Sequence, residues 1–262
     1  MVEGYFHPFV KGFLVLRGCG EYFLHLNKPI PVIVARNRLL LYPLLTGLLL
    51  IGCRRGTEPP EFVDSHYIKY DIDYLEERAG DIPTRILPGT MDAYYTRNHV
   101  LTRIEGFFNQ FILVQVADLR QRKVTTLLNF FGNKVYYTGR GGEPPASIVI
   151  PEQVKCRFTG EMTMIGGLQS ERVEVDTGTE QYNIYCTREF SVRRPNISTP
   201  YRSVDYPLTD FRIQLSLLKM HLTCMELEQK TIESEVFSIP ADYRQVNRET
   251  MEEIINSLFT KE

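Results

Sequence analysis

From His66 onward apolar and polar residues alternate along the chain. Ile68, Tyr70, Ile72 and Tyr74 fall on one side of an extended segment, and Lys69, Asp71 and Asp73 fall on the other. That is the period-2 signature of a strand with one buried face. Residues 91–97 and 100–105 are expected to pair across Asn98-His99, and 107–117 continue as a long apolar segment. Residues 124–131 and 134–138 flank Gly132-Asn133, a composition suited to a tight turn, so the pattern predicts an antiparallel meander. The Gly/Pro-rich stretch 139–151 has no period and reads as a loop, a candidate mobile lip. Beyond it, strands are expected over 154–158, 170–175 and 182–187, then over the alternating Phe211, Ile213, Leu215 and Leu217 with a partner at 220–228. One helix closes the chain. Asn247 is placed to cap it, Met251, Ile254, Ile255, Leu258 and Phe259 form an i, i+3, i+4, i+7, i+8 stripe, and Glu249, Glu252 and Glu253 sit near its positive end. The expectation is a mainly β (α+β) fold, a single β-rich domain over 66–262 with a C-terminal helix packed on the sheet.

The N-terminal fifth of the chain follows a different pattern. Residues 39–51 form a 13-residue run without charge, preceded by Arg36 and Arg38. Spanning a bilayer takes roughly 20 helical residues, so a basic segment followed by a short apolar one reads as an export signal and not as a permanent membrane helix. Leu50-Ile51-Gly52-Cys53 then resembles the bacterial lipobox, in which the cysteine is acylated and becomes the new N-terminus. The competing reading is a buried core helix with a chance cysteine, against which Pro43, Gly47 and the polar stretch 54–60 count. On the lipobox reading, 34–52 are a lipoprotein signal peptide and 53–65 a tether. Residues 1–33 are an upstream extension translated in error, with Val34 as a non-AUG start. Removing 1–52 of the 262 residues leaves 210, enough for one sizeable core.

Composition narrows the function classes. A formal charge of −2 gives no basic footprint for nucleic acid, whose ligands usually demand one. Fifteen Phe and fifteen Tyr favour strands. Apart from Cys19 and Cys53 the cysteines are Cys156, Cys186 and Cys224, with no zinc-type spacing; buried thiols or a single bridge are both compatible with three.

Enzyme signatures are absent from the sequence: no Gly-x-Ser-x-Gly elbow, no phosphate-binding glycine loop and no His-Glu-x-x-His. No catalytic residue, metal ligand or cofactor is therefore assigned, and the domain is expected not to be an enzyme. His66, His99 and His221 each stand among unrelated neighbours. Asp71, Asp73, Glu76, Glu77 and Asp81 are acidic enough for calcium, but Leu75 occupies a position where a calcium loop needs oxygen. Arg120, Arg122 and Lys123 suit phospholipid head groups, an acidic partner or simply a solvated turn. Phe107, Phe108, Phe111, Ile112, Leu113, Val114 and Val116 are denser than a strand with one wet face requires. They line either a core shared with the helix or a groove for an apolar ligand, with Phe107, Phe108, Phe111 and Leu113 as the candidate ligand-binding residues.

The segment 163–175, beginning Thr163-Met164-Ile165-Gly166-Gly167, followed by Tyr182-Asn183-Ile184-Tyr185-Cys186-Thr187, resembles the uncharacterised GLPGLI-type envelope proteins, whose sheets are similar to the lipoprotein carrier LolA. Phe237-Ser238-Ile239-Pro240-Ala241-Asp242-Tyr243 resembles that group's C-terminal phrase. Many members carry a cysteine where this chain has Ser170, and the naming phrase itself is missing. The resemblance implies a curved antiparallel sheet, a LolA-like half-barrel, with a helix against its concave side and no known catalytic residues. The combined expectation is a cell-envelope lipoprotein facing the periplasm from the outer membrane. It would be anchored through lipid on Cys53 and carry an apolar or amphipathic ligand; alternatively its core is filled and its partner is an envelope protein.

Overall fold

The computed structural model describes residues 60–106 and 110–259. Lipidation at Cys53, the signal peptide 34–52, the extension 1–33, and Phe107 and Phe108 lie outside the described residues.

The alternation read from the sequence becomes a twelve-stranded sheet. In chain order its strands are β1 (Phe62–Tyr74), β4 (Thr90–Tyr95), β5 (His99–Gly106), β6 (Phe111–Asp118), β7 (Lys123–Phe130), β8 (Asn133–Thr138), β9 (Lys155–Ile165), β10 (Leu168–Asp176), β11 (Gln181–Thr187), β12 (Leu208–Leu215), β13 (Leu218–Glu233) and β14 (Arg244–Gln245). Two two-residue strands, β2 (Arg78–Ala79) and β3 (Ile82–Pro83), form a separate hairpin in the excursion between β1 and β4. The spatial order is β14-β8-β7-β6-β5-β4-β1-β13-β12-β11-β10-β9, so the sheet is open, with β14 and β9 at its edges. Every pairing is antiparallel except that of β14 with β8. Closure of the long pair β1 and β13 joins the N-terminal meander to the C-terminal one.

The sheet is strongly curved. Phe130 on β7 and Leu218 on β13 are five strand steps apart, which in a flat sheet is about 24 Å. Both nevertheless line one cavity. The concave face carries Ile68, Tyr70, Met91, Ile104, Leu113, Leu128, Leu215 and Met220, and against them packs the helix α1 (Arg248–Ser257) through Met251 and Ile255, followed by Phe259. Asn247 caps α1 as its sequence predicts, its side chain accepting from Thr250 N–H at 2.8 Å. The mainly β fold with one C-terminal helix on a curved open sheet is thus the observed architecture.

Several local expectations shift. Phe62–Ser65, read from the sequence as part of the tether, belong to β1 and pair with Lys230–Glu233. The β7–β8 turn centres on Phe131-Gly132 and not on Gly132-Asn133, because both of these residues take positive φ (48° and 83°), the geometry a tight hairpin requires. The strand over 154–158 extends to Ile165, and the one over 220–228 extends to Glu233.

The loop 139–151, expected to be irregular, is held against the sheet through its second half. Ala146 and Ile148 are buried, Ile148 bridges to Leu215, and Val149 N–H donates to Gln214 O at 2.9 Å. Its apolar residues outweigh its Gly/Pro content.

Candidate functional site

The density of apolar residues on β6 has a two-sided explanation. Phe111 and Leu113 face the concave core, while Val114 and Val116 join Leu101, Leu127, Tyr94 and Tyr136 in a second cluster on the convex face. That second cluster is covered by Phe237 and Tyr243 from the segment between β13 and β14. His99 stacks on Phe237 with ring centroids 4.9 Å apart, and Lys134 pairs with Asp242 at 2.5 Å, fastening the segment down. The strand is rich in apolar residues because both of its faces are covered, so its composition alone does not signal a ligand groove.

A cavity does exist, at one end of the concave face. Its volume is about 220 Å³, and its wall comes from Tyr74, Ile104, Phe111, Phe130, Leu215, Leu218 and Met220 on the sheet. Ile82, Leu87 and Pro88 from the excursion between β1 and β4, with Leu258 and Phe259 after α1, close it from the other side. Phe131, with 65% of its surface exposed, stands at the rim. Among the described residues the only polar side-chain group in the lining is the Tyr74 phenol, which donates to Pro88 O at 2.7 Å and is pushed up in pKa by burial. The lining therefore offers contact area and no charge.

Two features hold this end together. Gly80, at φ +56°, lets the β2–β3 turn approach Phe259 O so closely that a Cβ there would lie 2.1 Å from it. Asp81 N–H donates to the same oxygen at 3.1 Å. The excursion and the C-terminal segment thus act as one cover.

Of the sequence candidates, Phe111 lines this cavity. Leu113 lines only a neighbouring void of about 30 Å³, bounded also by Met91, Ile104, Ile148, Ile213 and Met220. The middle of the concave face is otherwise filled by side chains such as Tyr70, whose hydroxyl bonds Tyr95 at 3.0 Å and Leu208 O at 2.7 Å. Sequence reasoning missed the cavity's other walls because they come from segments far apart in the chain. The repeated apolar positions of β13 and the end of α1 mark them as buried without showing that they meet.

The titratable groups read as isolated have partners. His221 Nε2 lies 2.8 Å from Asp210 Oδ1, and Thr223 Oγ1 donates to Asp210 Oδ2 at 3.2 Å. No hydroxyl or thiol is bonded to the His221 ring among the described residues, so this pair lacks the nucleophile that a triad needs. His66 stacks on Phe190 at 4.3 Å, and burial lowers its pKa. Cys156, Cys186 and Cys224 are free thiols; burial pushes Cys186 up to about 12 and Cys224 up to about 11, which disfavours the reactive thiolate. Asp71 and Asp73 are exposed on β1, and Glu76 pairs with Lys219 at 2.7 Å.

No family model matches this chain, and no curated protein matches it either. Among solved structures, PNGF-II is similar over 73% of this chain in two crystal forms, with TM-scores of 0.49 and 0.47 and identities of 10% and 11%. The chain spans about a third of the length of PNGF-II (33% and 32%). A β-barrel-like protein of Domain of Unknown Function DUF1849 from Brucella abortus is similar over 66% of this chain and 100% of its own, at 11% identity and a TM-score of 0.27. The GLPGLI-type and LolA resemblance gains no family match.

Proposed function

We propose that the domain is a non-catalytic binding module that holds a small apolar group, such as a short acyl segment or a single ring, in the cavity beside Phe111. The observation that carries this reading is the lining, which is apolar apart from one satisfied phenol and is shared by the sheet, the excursion at 75–89 and the C-terminal segment. At about 220 Å³ the cavity exceeds the roughly 150 Å³ apolar cavity that admits benzene. It falls below the roughly 300–1,000 Å³ of sites for drug-sized ligands, so one end of an amphipathic molecule suits it and a whole lipid does not.

The setting we propose is the bacterial cell envelope, with the protein held to a membrane by lipid on Cys53. The basic, apolar and Gly52-Cys53 order over residues 34–53 supports this. Cys53→Ser should release the protein from the membrane fraction or leave it unprocessed; retention and processing like wild type would sink the anchor.

The binding test uses toluene and octanoate, followed by ligand-observed NMR on the full chain. Saturable binding should be lost in Phe111→Asp, since a charge in this wall would have no partner. Phe131→Asp at the exposed rim should weaken binding while leaving the fold intact, which guards against a Phe111 variant that does not fold. If neither probe binds up to millimolar concentration, the reading gives way to an interaction protein of the envelope. The filled middle of the concave face, with its void of only about 30 Å³, favours that second reading.

A further inference from the structure

At the opposite end of the concave face lies a second concavity of different chemistry. β6 begins with Phe111 at the apolar cavity, and the chain reaches Leu119 and Arg120 at the other end, about 25 Å away for eight strand residues. There a cleft of about 850 Å³ is bordered by Arg97, Arg120, Arg193 and Arg194, with Asp64 the only acidic residue in its wall among the described residues. The four arginines come from three separate segments: the β4–β5 turn, the β6–β7 hairpin and the loop between β11 and β12. His66 and Tyr95 line the floor, and Phe190 is stacked on His66.

None of these four guanidinium groups forms an ion pair within the described residues, whereas Arg103, Arg157, Arg172, Arg188 and Arg248 all do. Asp64, the one carboxylate in the wall, already accepts from Thr231 Oγ1 at 3.0 Å. Asp118, at the base of the hairpin, is turned to its own backbone, accepting from Arg120 N–H at 2.9 Å and Gln121 N–H at 2.8 Å. Four like charges are gathered around one hollow in a chain whose formal charge is −2. Such an arrangement repels itself unless an anion neutralises it.

The segments that carry the arginines are built firmly. Thr96 closes its turn through Thr96 N–H to His99 O and His99 N–H to Thr96 Oγ1, both at 2.9 Å. Leu119 N–H donates to Asn98 O at 2.9 Å, joining that turn to the hairpin. The third segment is anchored by buried Asn196, whose Nδ2 donates to Val204 O at 2.7 Å and Tyr206 O at 2.9 Å. Arg194 itself is held at φ +54°, a conformation that non-glycine residues adopt at a cost and that persists where the surroundings impose it. The backbone beneath the charges is therefore fixed before any ligand arrives, which lowers the ordering cost of binding.

We propose that this cleft binds a multiply charged phosphate-type oxyanion, with the forked guanidinium groups as its donors. Guanidinium matches phosphate oxygens in bidentate geometry, and several arginines converging from different segments suit a compact polyanion. The volume falls in the range of small-ligand sites, roughly 300–1,000 Å³. His66 is held toward its neutral form by burial, so the arginines supply the charge at neutral pH. This site stands independently of the apolar cavity, because the filled middle of the sheet separates the two.

The test is isothermal titration of the full chain in mild non-ionic detergent with inorganic pyrophosphate. A parallel titration uses the same micelles doped with phosphatidic acid or, as control, phosphatidylcholine. Pyrophosphate binding that weakens at least about tenfold in the double variant Arg97→Gln/Arg193→Gln supports a soluble ligand. A response confined to phosphatidic acid and lost in that variant supports a lipid headgroup as the source of the same chemistry. The charge-matched control Arg85→Gln/Arg244→Gln alters two exposed arginines outside the cleft wall and should bind like wild type. Absence of both responses at millimolar concentration, or equal weakening in the control, would overturn the assignment.

Discussion

Arg248 in the first turn of α1 donates through Nη1 to Glu143 Oε1 at 2.7 Å and to Pro144 O at 2.9 Å, tying the helix to the Gly/Pro-rich loop. The same carboxylate accepts from Arg140 N–H at 2.8 Å and Tyr137 Oη at 2.8 Å. Both elements bury apolar residues in one core, and this cluster sets their relative position at its margin.

A pH prediction follows from Glu143. The Arg140 backbone N–H, with Arg248 and Tyr137 behind it, holds the carboxyl down at about 2 from an ordinary 4.5. A depressed folded-state value means that the stabilisation is full above pH 4.5 and is lost as pH falls toward 2. Glu143→Gln should cost about 1–3 kcal/mol at pH 7, and the gap to wild type should close near pH 2. Urea denaturation of both proteins at pH 7, 4 and 2 measures this. A gap that stays constant with pH would show that the charge contributes nothing.

The helix carries a larger share of the fold. Ile255 is 1% exposed and Met251 is fully buried on the concave face. Ile255→Ala should therefore cost about 2–5 kcal/mol. Chemical denaturation checks it, and a loss below about half a kcal/mol would mean that the concave face does not need α1.

What could be read from the sequence was what local chemistry decides. Ile68, Tyr70 and Ile72 alternate with polar residues because one face of β1 is dry, and Asn247 caps α1 because its side chain reaches its own third residue onward. The outer half of β9 went unseen because Thr159–Met164 are mostly exposed on both faces, leaving no period to detect. The crowding of β6 was misleading for the opposite reason: Val114 and Val116 are covered by Phe237 and Tyr243, more than a hundred residues later in the chain. Candidate sites suffer most from this distance effect. Phe111 could be picked out by its type, but that it meets Leu218 and Phe259 depends on sheet curvature, and Arg97 shares a cleft with Arg193 only because the loop between β11 and β12 is brought beside the β4–β5 turn.

The cover of the apolar cavity gives the last prediction, because it turns on a single hydrogen atom. At Gly80 the backbone adopts φ +56°, and a Cβ would meet Phe259 O at 2.1 Å and Phe259 C at 3.1 Å. Alanine there faces two separate penalties: roughly 1 kcal/mol for the left-handed conformation, and a backbone clash that no rotamer can relieve. Gly132→Ala isolates the first penalty, since Gly132 also has positive φ (83°) but has nothing within 4 Å of its added methyl. Gly80→Ala should therefore cost about 1–3 kcal/mol more than Gly132→Ala in chemical denaturation. The excess reflects displacement of the C-terminal segment, so hydrogen exchange of the Asp81 amide, bonded to Phe259 O at 3.1 Å in the native fold, should accelerate in Gly80→Ala alone. The octanoate and toluene affinities should fall with it, because Leu258 and Phe259 wall the cavity from that side. Equal stability losses in the two variants, with Asp81 exchange unchanged, would show that the excursion and the C-terminal segment yield without cost and do not form a fitted cover.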